Sequence, residues 1–184
     1  MVDSSNRYVY AADLGLDKIM IYKLDLERGK LTPNHEPWVK VKPGAGPRHF
    51  TFHPNGRFAY LINELNSTII AYAYDEDTGM LEEIQTVSAL PEGFEDINYS
   101  ADIHIAPSGR FLYGSNRGHD SIVIFRINEE TGELRYVGHE STRGRFPRSF
   151  DIDPSGEFLL VANQKSDNIV GFRIDQQTGM LKPT

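Results

Sequence analysis

The stretch Pro107–Val137, PSGRFLYGSNRGHDSIVIFRINEETGELRYV, decides the fold, because close relatives of it lie before and after it in the same chain. Its opening turn, Pro107-Ser108-Gly109-Arg110, is preceded by Pro54-Asn55-Gly56-Arg57 and followed by Pro154-Ser155-Gly156-Glu157, 53 and 47 residues away. Ser4-Ser5-Asn6-Arg7 is a degenerate first copy. An aromatic, β-rich run follows each turn: Tyr8–Asp13, Phe58–Asn63, Phe111–Asn116 and Phe158–Asn163. A second landmark closes each copy at Gly29, Gly79, Gly132 and Gly179, where the glycine follows Thr or Arg and precedes Lys-Leu, Met-Leu or Glu-Leu.

A period of about 50 residues made of short strands is the signature of a β-propeller, in which each repeat is a four-stranded blade that buries its faces only against neighbouring blades. In the third copy the strands are expected at Ala101–Ala106, Arg110–Ser115, Ser121–Asn128 and Glu133–Ser141. Each is a β-branched or aromatic run bounded by turn residues. The first copy gives Arg7–Asp13, Lys18–Asp25 and Lys30–Lys42, and no long helical pattern competes. The expected fold is all-β: about four four-stranded antiparallel blades, with units at approximately residues 1–47, 48–100, 101–147 and 148–184. Residue 1 falls just before a second strand and Lys182-Pro183-Thr184 cuts off a fourth, so the chain reads as part of a propeller. Exposed blade edges would favour self-association.

Composition narrows the function. With no cysteine there is no disulfide framework, thiolate nucleophile or Cys-based zinc site. No apolar run suggests a membrane span and the first residues do not read as a signal peptide, so cytoplasmic residence is the expectation, with the sequons at Asn66 and Asn98 accidental. A net charge of −7 argues against a nucleic-acid surface. It leaves room for a small anionic ligand, since a few converging arginines override an average.

Two apparent metal motifs dissolve on inspection. His49 and His53 are four residues apart on an expected strand, roughly 13 Å at about 3.3 Å per residue, too far to share one ion. Asp75-Glu76-Asp77-Thr78-Gly79 lacks calcium-loop spacing. Its equivalents at Asp25, Asn128 and Asp175 mark it as a hairpin turn with glycine in the left-handed position. No metal and no cofactor is expected. The longer connection Leu90–Tyr99 is expected to overhang one mouth of the propeller as a partial lid.

Copies within one chain allow a test: positions that recur serve the blade, and positions that differ are free for function. The recurring Asn63, Asn116 and Asn163 read as turn formers. The turns of one face are monotonous, whereas the other face presents Glu64, Arg117 and Gln164 after those asparagines. The blade entrances on that face carry Arg48-His49, Ala101-Asp102 and Arg148-Ser149. His104 aligns with Thr51 and Asp151 on an innermost strand that faces the central channel. Arg48, His49, Glu64, His104, Arg117 and Arg148 are therefore expected to converge near one mouth. Arginines there bind a phosphate or carboxylate, and a carboxylate or imidazole activates water. The structural alternative is that the arginines pair with acids such as Glu64 and Asp102 and tie blades together. His119 and His139 read as surface residues.

The segments Gly46–Phe50, Pro54–Tyr60, Asn63-Glu64-Leu65, Ala101–His104, Ser115–Ile122 and Phe146–Phe150 strongly resemble the propeller-type lactonases. That family contains cycloisomerase-type 6-phosphogluconolactonases and fungal 3-carboxymuconate-lactonising enzymes. The resemblance implies a seven-bladed propeller about twice this length, of which this chain is the C-terminal half. It places Arg48, Glu64 and Arg117 where the family's proposed active-site residues lie; a further family histidine belongs to an earlier blade. The implied reaction is hydrolysis of 6-phosphogluconolactone to 6-phosphogluconate. Glu64 or His104 would be the general base, Arg117 and Arg48 would stabilise the oxyanion or an anionic group, and His49 and Arg148 would position the sugar acid. A muconate-lactonising activity would use the same arginines. A non-enzymatic binding propeller is the remaining alternative, since the Tyr8–Ala12 and Leu160–Asn163 runs also resemble surface-layer repeats.

Overall fold

The computed structural model describes residues 1–184, and every regular element in it is a strand. Four antiparallel meanders follow one another. The first sheet holds β1 (Tyr8–Asp13), β2 (Lys18–Asp25) and β3 (Lys30–Lys40); the second, β4 (Pro47–Phe52), β5 (Phe58–Asn63), β6 (Thr68–Asp75) and β7 (Met80–Ser88). The third holds β8 (Tyr99–Ile105), β9 (Phe111–Arg117), β10 (Ser121–Ile127) and β11 (Leu134–Ser141). The fourth holds β12 (Pro147–Ile152), β13 (Phe158–Asn163), β14 (Asn168–Ile174) and β15 (Leu181–Pro183). Three sheets have the expected four strands and the first has three, its β1 standing where β5, β9 and β13 stand in the others. The innermost strands β4, β8 and β12 pack side by side, so the sheets radiate from a shared axis as blades.

The apolar core lies between sheets. Tyr8, Tyr10, Ile19 and Ile21 of the first pack on Phe50, Leu61, Ile70 and Tyr72 of the second. Tyr60, Ile62 and Ile69 meet Ile103, Leu112 and Val123, and Tyr113, Ile122 and Ile124 meet Phe150, Leu159 and Val161. A middle blade is covered on both faces, which is why β5 and β9 are buried at every residue. β13, with the same kind of sequence, is buried only at alternate residues.

Recurrence turns out to encode a latch between consecutive blades. The second-strand tyrosine of one blade donates its hydroxyl to the glycine carbonyl of the next blade's outer turn: Tyr10 to Gly79 at 2.7 Å, Tyr60 to Gly132 at 3.0 Å, Tyr113 to Gly179 at 2.9 Å. The aromatic two residues earlier lies flat on that glycine, so a Cβ at Gly132 would stand 2.5 Å from the Phe58 ring. The arginine of each Pro-x-Gly-Arg or Ser-Asn-Arg turn completes it, as Arg7 reaches the Glu76 carbonyl and Arg57 that of Glu130. The asparagines expected to form turns are instead buried at strand ends, where Asn116 and Asn163 donate to the Ala89 and Thr142 carbonyls of the preceding blade.

Candidate active site

Five of the expected residues, with two further polar groups, gather where the entrances of the second, third and fourth blades meet. Arg48 on β4 and Arg117 at the end of β9 each reach Glu64, which follows β5; Arg48 Nε lies 3.0 Å from Oε2 and an Arg117 terminal nitrogen 3.0 Å from Oε1. Both carboxylate oxygens are thus held by guanidinium groups. Arg117 is nearly enclosed, its side chain 5% exposed, and also donates to the Tyr99 and Ser100 carbonyls at 3.1 and 3.2 Å. Arg48 donates in addition to the Ala101 carbonyl. Burial and the neighbouring Arg117 charge pull the Arg48 guanidinium below its ordinary value, against the opposing pull of Glu64.

Beside this clamp, one position of three successive blades forms a hydrogen-bonded chain. His49 Nδ1 lies 2.6 Å from Asp102 Oδ1, and Ser149 Oγ donates to Asp102 Oδ2 at 2.8 Å. His104 Nε2 stands 3.4 Å from the same Oδ1, with its ring edge-on to Phe150 and its Nδ1 without a partner. Burial alone would raise the Asp102 carboxyl, but hydrogen bonding from His104, His49 and Ser149 outweighs it and holds the group far below the usual carboxylate range. Ser149 donates to the acid rather than to an imidazole, so this chain does not activate a serine nucleophile. Asp102 thus has an imidazole on either side, His49 and His104. The clefts at this end include one of about 430 Å³ shared by Arg48, His49, Asp102 and His104. A second, of about 550 Å³, is lined by Arg48, His49, Arg148, Asn163, Gln164 and Asn168 among others.

Arg148 stands apart from the clamp. It is the counterpart of Arg48, but Gln164 replaces Glu64 in its blade, and Arg148 makes no ion pair or hydrogen bond. It is the uncommitted cation of the cleft. Ser149 was assigned no role, and Asp102, expected at most to pair with an arginine, meets His49, His104 and Ser149 instead. Their signal was available, since His49, Asp102 and Ser149 occupy one position that differs in every complete blade.

One expectation is corrected elsewhere. His119 and His139 are half-buried rather than at the surface; their rings meet at 5.3 Å, and His119 also meets Phe94. Burial pushes both imidazoles below the ordinary value. Leu90–Asn98 lies on the face that carries Glu64 and Arg117, without lining the clefts around Arg48. It lies along the β9–β10 turn, where Asn98 accepts from the His119 amide and a Cβ at Gly118 would strike the Ile97 carbonyl. His53 is buried and bonded through Nε2 to the Gly109 carbonyl at 2.8 Å, far from the mouth. No group of three or more His, Asp or Glu side chains is arranged to hold a metal ion, and no helix is long and apolar enough to cross a membrane.

The family model of the lactonase, 7-bladed beta-propeller matches residues 1–184. The chain belongs to that family. It is 45% identical over 148 residues to a 6-phosphogluconolactonase of Bacillus subtilis, covering 80% of this chain and 41% of that protein. It is 50% identical over 151 residues to a 6-phosphogluconolactonase of Formosa agariphila, covering 80% and 42%. Among solved structures, the periplasmic gluconolactonase of Pseudomonas aeruginosa superposes with a TM-score of 0.94 at 37% identity over the whole of this chain and 52% of that one. A Lactobacillus plantarum protein gives 0.94 at 34%, again over 100% and 52%. The chain spans about half the length of the relatives it matches.

Proposed function

We propose that this chain carries the hydrolytic site of a lactonase acting on 6-phosphogluconolactone. The observation that supports it most is the joint placement at one mouth of a doubly clamped carboxylate, two Asp102-held imidazoles and a free arginine. Glu64, with both oxygens engaged, is an anchor rather than a base: it aims Arg48 into the cleft and holds Arg117 behind it. His104 is the general base. Its Nε2 faces Asp102, which leaves the Nδ1 lone pair open to accept a proton from water.

Hydrolysis then proceeds in two proton transfers. Water attacks the lactone carbonyl as Nδ1 takes its proton, a new C–O bond forms, and the oxyanion develops against the Arg48 guanidinium. When the ring C–O bond breaks, the leaving alkoxide recovers the proton from the imidazolium, giving the open hydroxy acid. Asp102 stabilises that imidazolium and keeps its tautomer. Arg148 receives the substrate's phosphate, and the exposed amide of Gln164 faces its hydroxyls.

Steady-state lactone hydrolysis separates these roles. His104→Gln is expected to lower kcat by about 100-fold or more with little change in KM, and Arg148→Ala to raise KM by about tenfold with kcat nearly intact. A His104→Gln protein at full kcat would remove the base from the scheme.

A further inference from the structure

The entrance to the fourth blade repeats that of the second almost atom for atom, with one substitution that makes little sense for folding. Gly46, before Pro47, has φ of +66°; Phe146, before Pro147, also has φ of +66°. The supporting bonds match. Asp17 Oδ1 accepts from the Gly46 amide at 2.9 Å and Asp120 Oδ1 from the Phe146 amide at 2.7 Å, while Glu64 and Gln164 donate their amides to the Gly46 and Phe146 carbonyls. For a bulky side chain this left-handed conformation is strained, and glycine adopts it freely. The chain itself shows that glycine suffices to build the corner.

What the phenyl ring adds is a position between two cations. Arg117 lies 5.3 Å from its centroid and Lys165 3.9 Å. At the second blade the corresponding space is filled by Leu65, the counterpart of Lys165, which a Cβ on Gly46 would strike at 2.6 Å. Arg117 is further flanked by Tyr99 at 6.0 Å, so its guanidinium stands between two aromatic rings with one nitrogen on Glu64. Strain in a sparsely populated conformation persists where surrounding structure holds it, and it gathers at functional sites. An aromatic face beside a guanidinium fixes its plane and keeps water from it.

We infer that Phe146 is a positioning residue of the lactonase site, its ring fixing and shielding the Arg117–Glu64 pair and seating Lys165 at the rim. The inference rests on the proposed activity for its functional consequence, and its physical core is tested without it. Phe146→Gly restores the residue that the same corner carries at Gly46, so the variant is expected to fold with an unchanged or raised Tm. Its Arg117 Nε–H, followed by NMR on protein labelled with 15N-arginine, is expected to exchange with water at least tenfold faster than in the wild type. Phe146→Tyr, which keeps the ring, is expected to retain slow exchange. For lactone hydrolysis the same pair predicts at least a tenfold fall in kcat/KM for Phe146→Gly, restored in Phe146→Tyr. Unchanged exchange at Arg117, or a lower Tm in Phe146→Gly, would overturn the inference by making the ring a packing element. A wild-type protein that does not accelerate lactone opening would overturn the activity while leaving the exchange result to stand.

Discussion

Asp102 shows how one residue makes two others useful. Its side chain is 7% exposed and is met by His49, His104, Ser149 and the amides of Ile103 and Phe150. Because its folded value is depressed, the stability it confers is fully present above the unfolded carboxyl value near pH 4 and is lost as pH falls through the folded value. Asp102→Asn is expected to cost on the order of 3 kcal/mol at pH 7. That gap should narrow steadily below about pH 4 in urea unfolding titrations, and a pH-independent gap would show that the charge is immaterial. At this scale the sequence was informative about which residues converge and much less so about what each does. Glu64 looked equally fit to be a base or a tie, and the two 3.0 Å guanidinium contacts favour the tie. Phe146 could not be singled out, because nothing in a residue's name records a positive φ.

Strand and turn are where repetition becomes physical. The glycines of the outer turns serve two purposes that one chain conveniently separates. Gly29 and Gly132 occupy equivalent turns with φ of +59° and +77°, but nothing stands within 4 Å of a Cβ at Gly29, whereas Gly132 lies under the Phe58 ring. Gly29→Ala should therefore lose only the left-handed preference, about 1 kcal/mol. Gly132→Ala should lose about 3 kcal/mol, since ring and turn must also part. Equal shifts of the urea midpoint would contradict the inter-blade latch. The strand positions were legible because turn chemistry and β-branched runs alternate so regularly. Burial was not. Phe58–Asn63 and Phe158–Asn163 read alike, yet Tyr60 is fully buried while its counterpart Leu160 is 53% exposed, since the cover comes from another blade and not from the strand itself.

Across the whole molecule, a chain of net charge −7 assembles Arg48, Arg117 and Arg148 at one mouth against Glu64 and Asp102. The propeller makes this inexpensive, because residues a hundred apart in sequence become neighbours when each blade contributes one entrance and one turn. Its period near 50 residues made the architecture readable from sequence, and the divergence between copies marked the face on which these side chains converge. The path of Leu90–Asn98 and the half-buried His119–His139 pair were not readable, because both depend on how one connection folds back on a turn. Opening of a lactone at this mouth is read from the rate of 6-phosphogluconolactone hydrolysis by the folded chain over the spontaneous rate, with Glu64→Gln alongside. Clear acceleration by the wild type is expected, and at least a tenfold lower kcat/KM in the variant, whose two guanidiniums lose their shared counter-charge. Hydrolysis at the spontaneous rate by a demonstrably folded wild-type chain, or full activity in Glu64→Gln, would contradict that expectation.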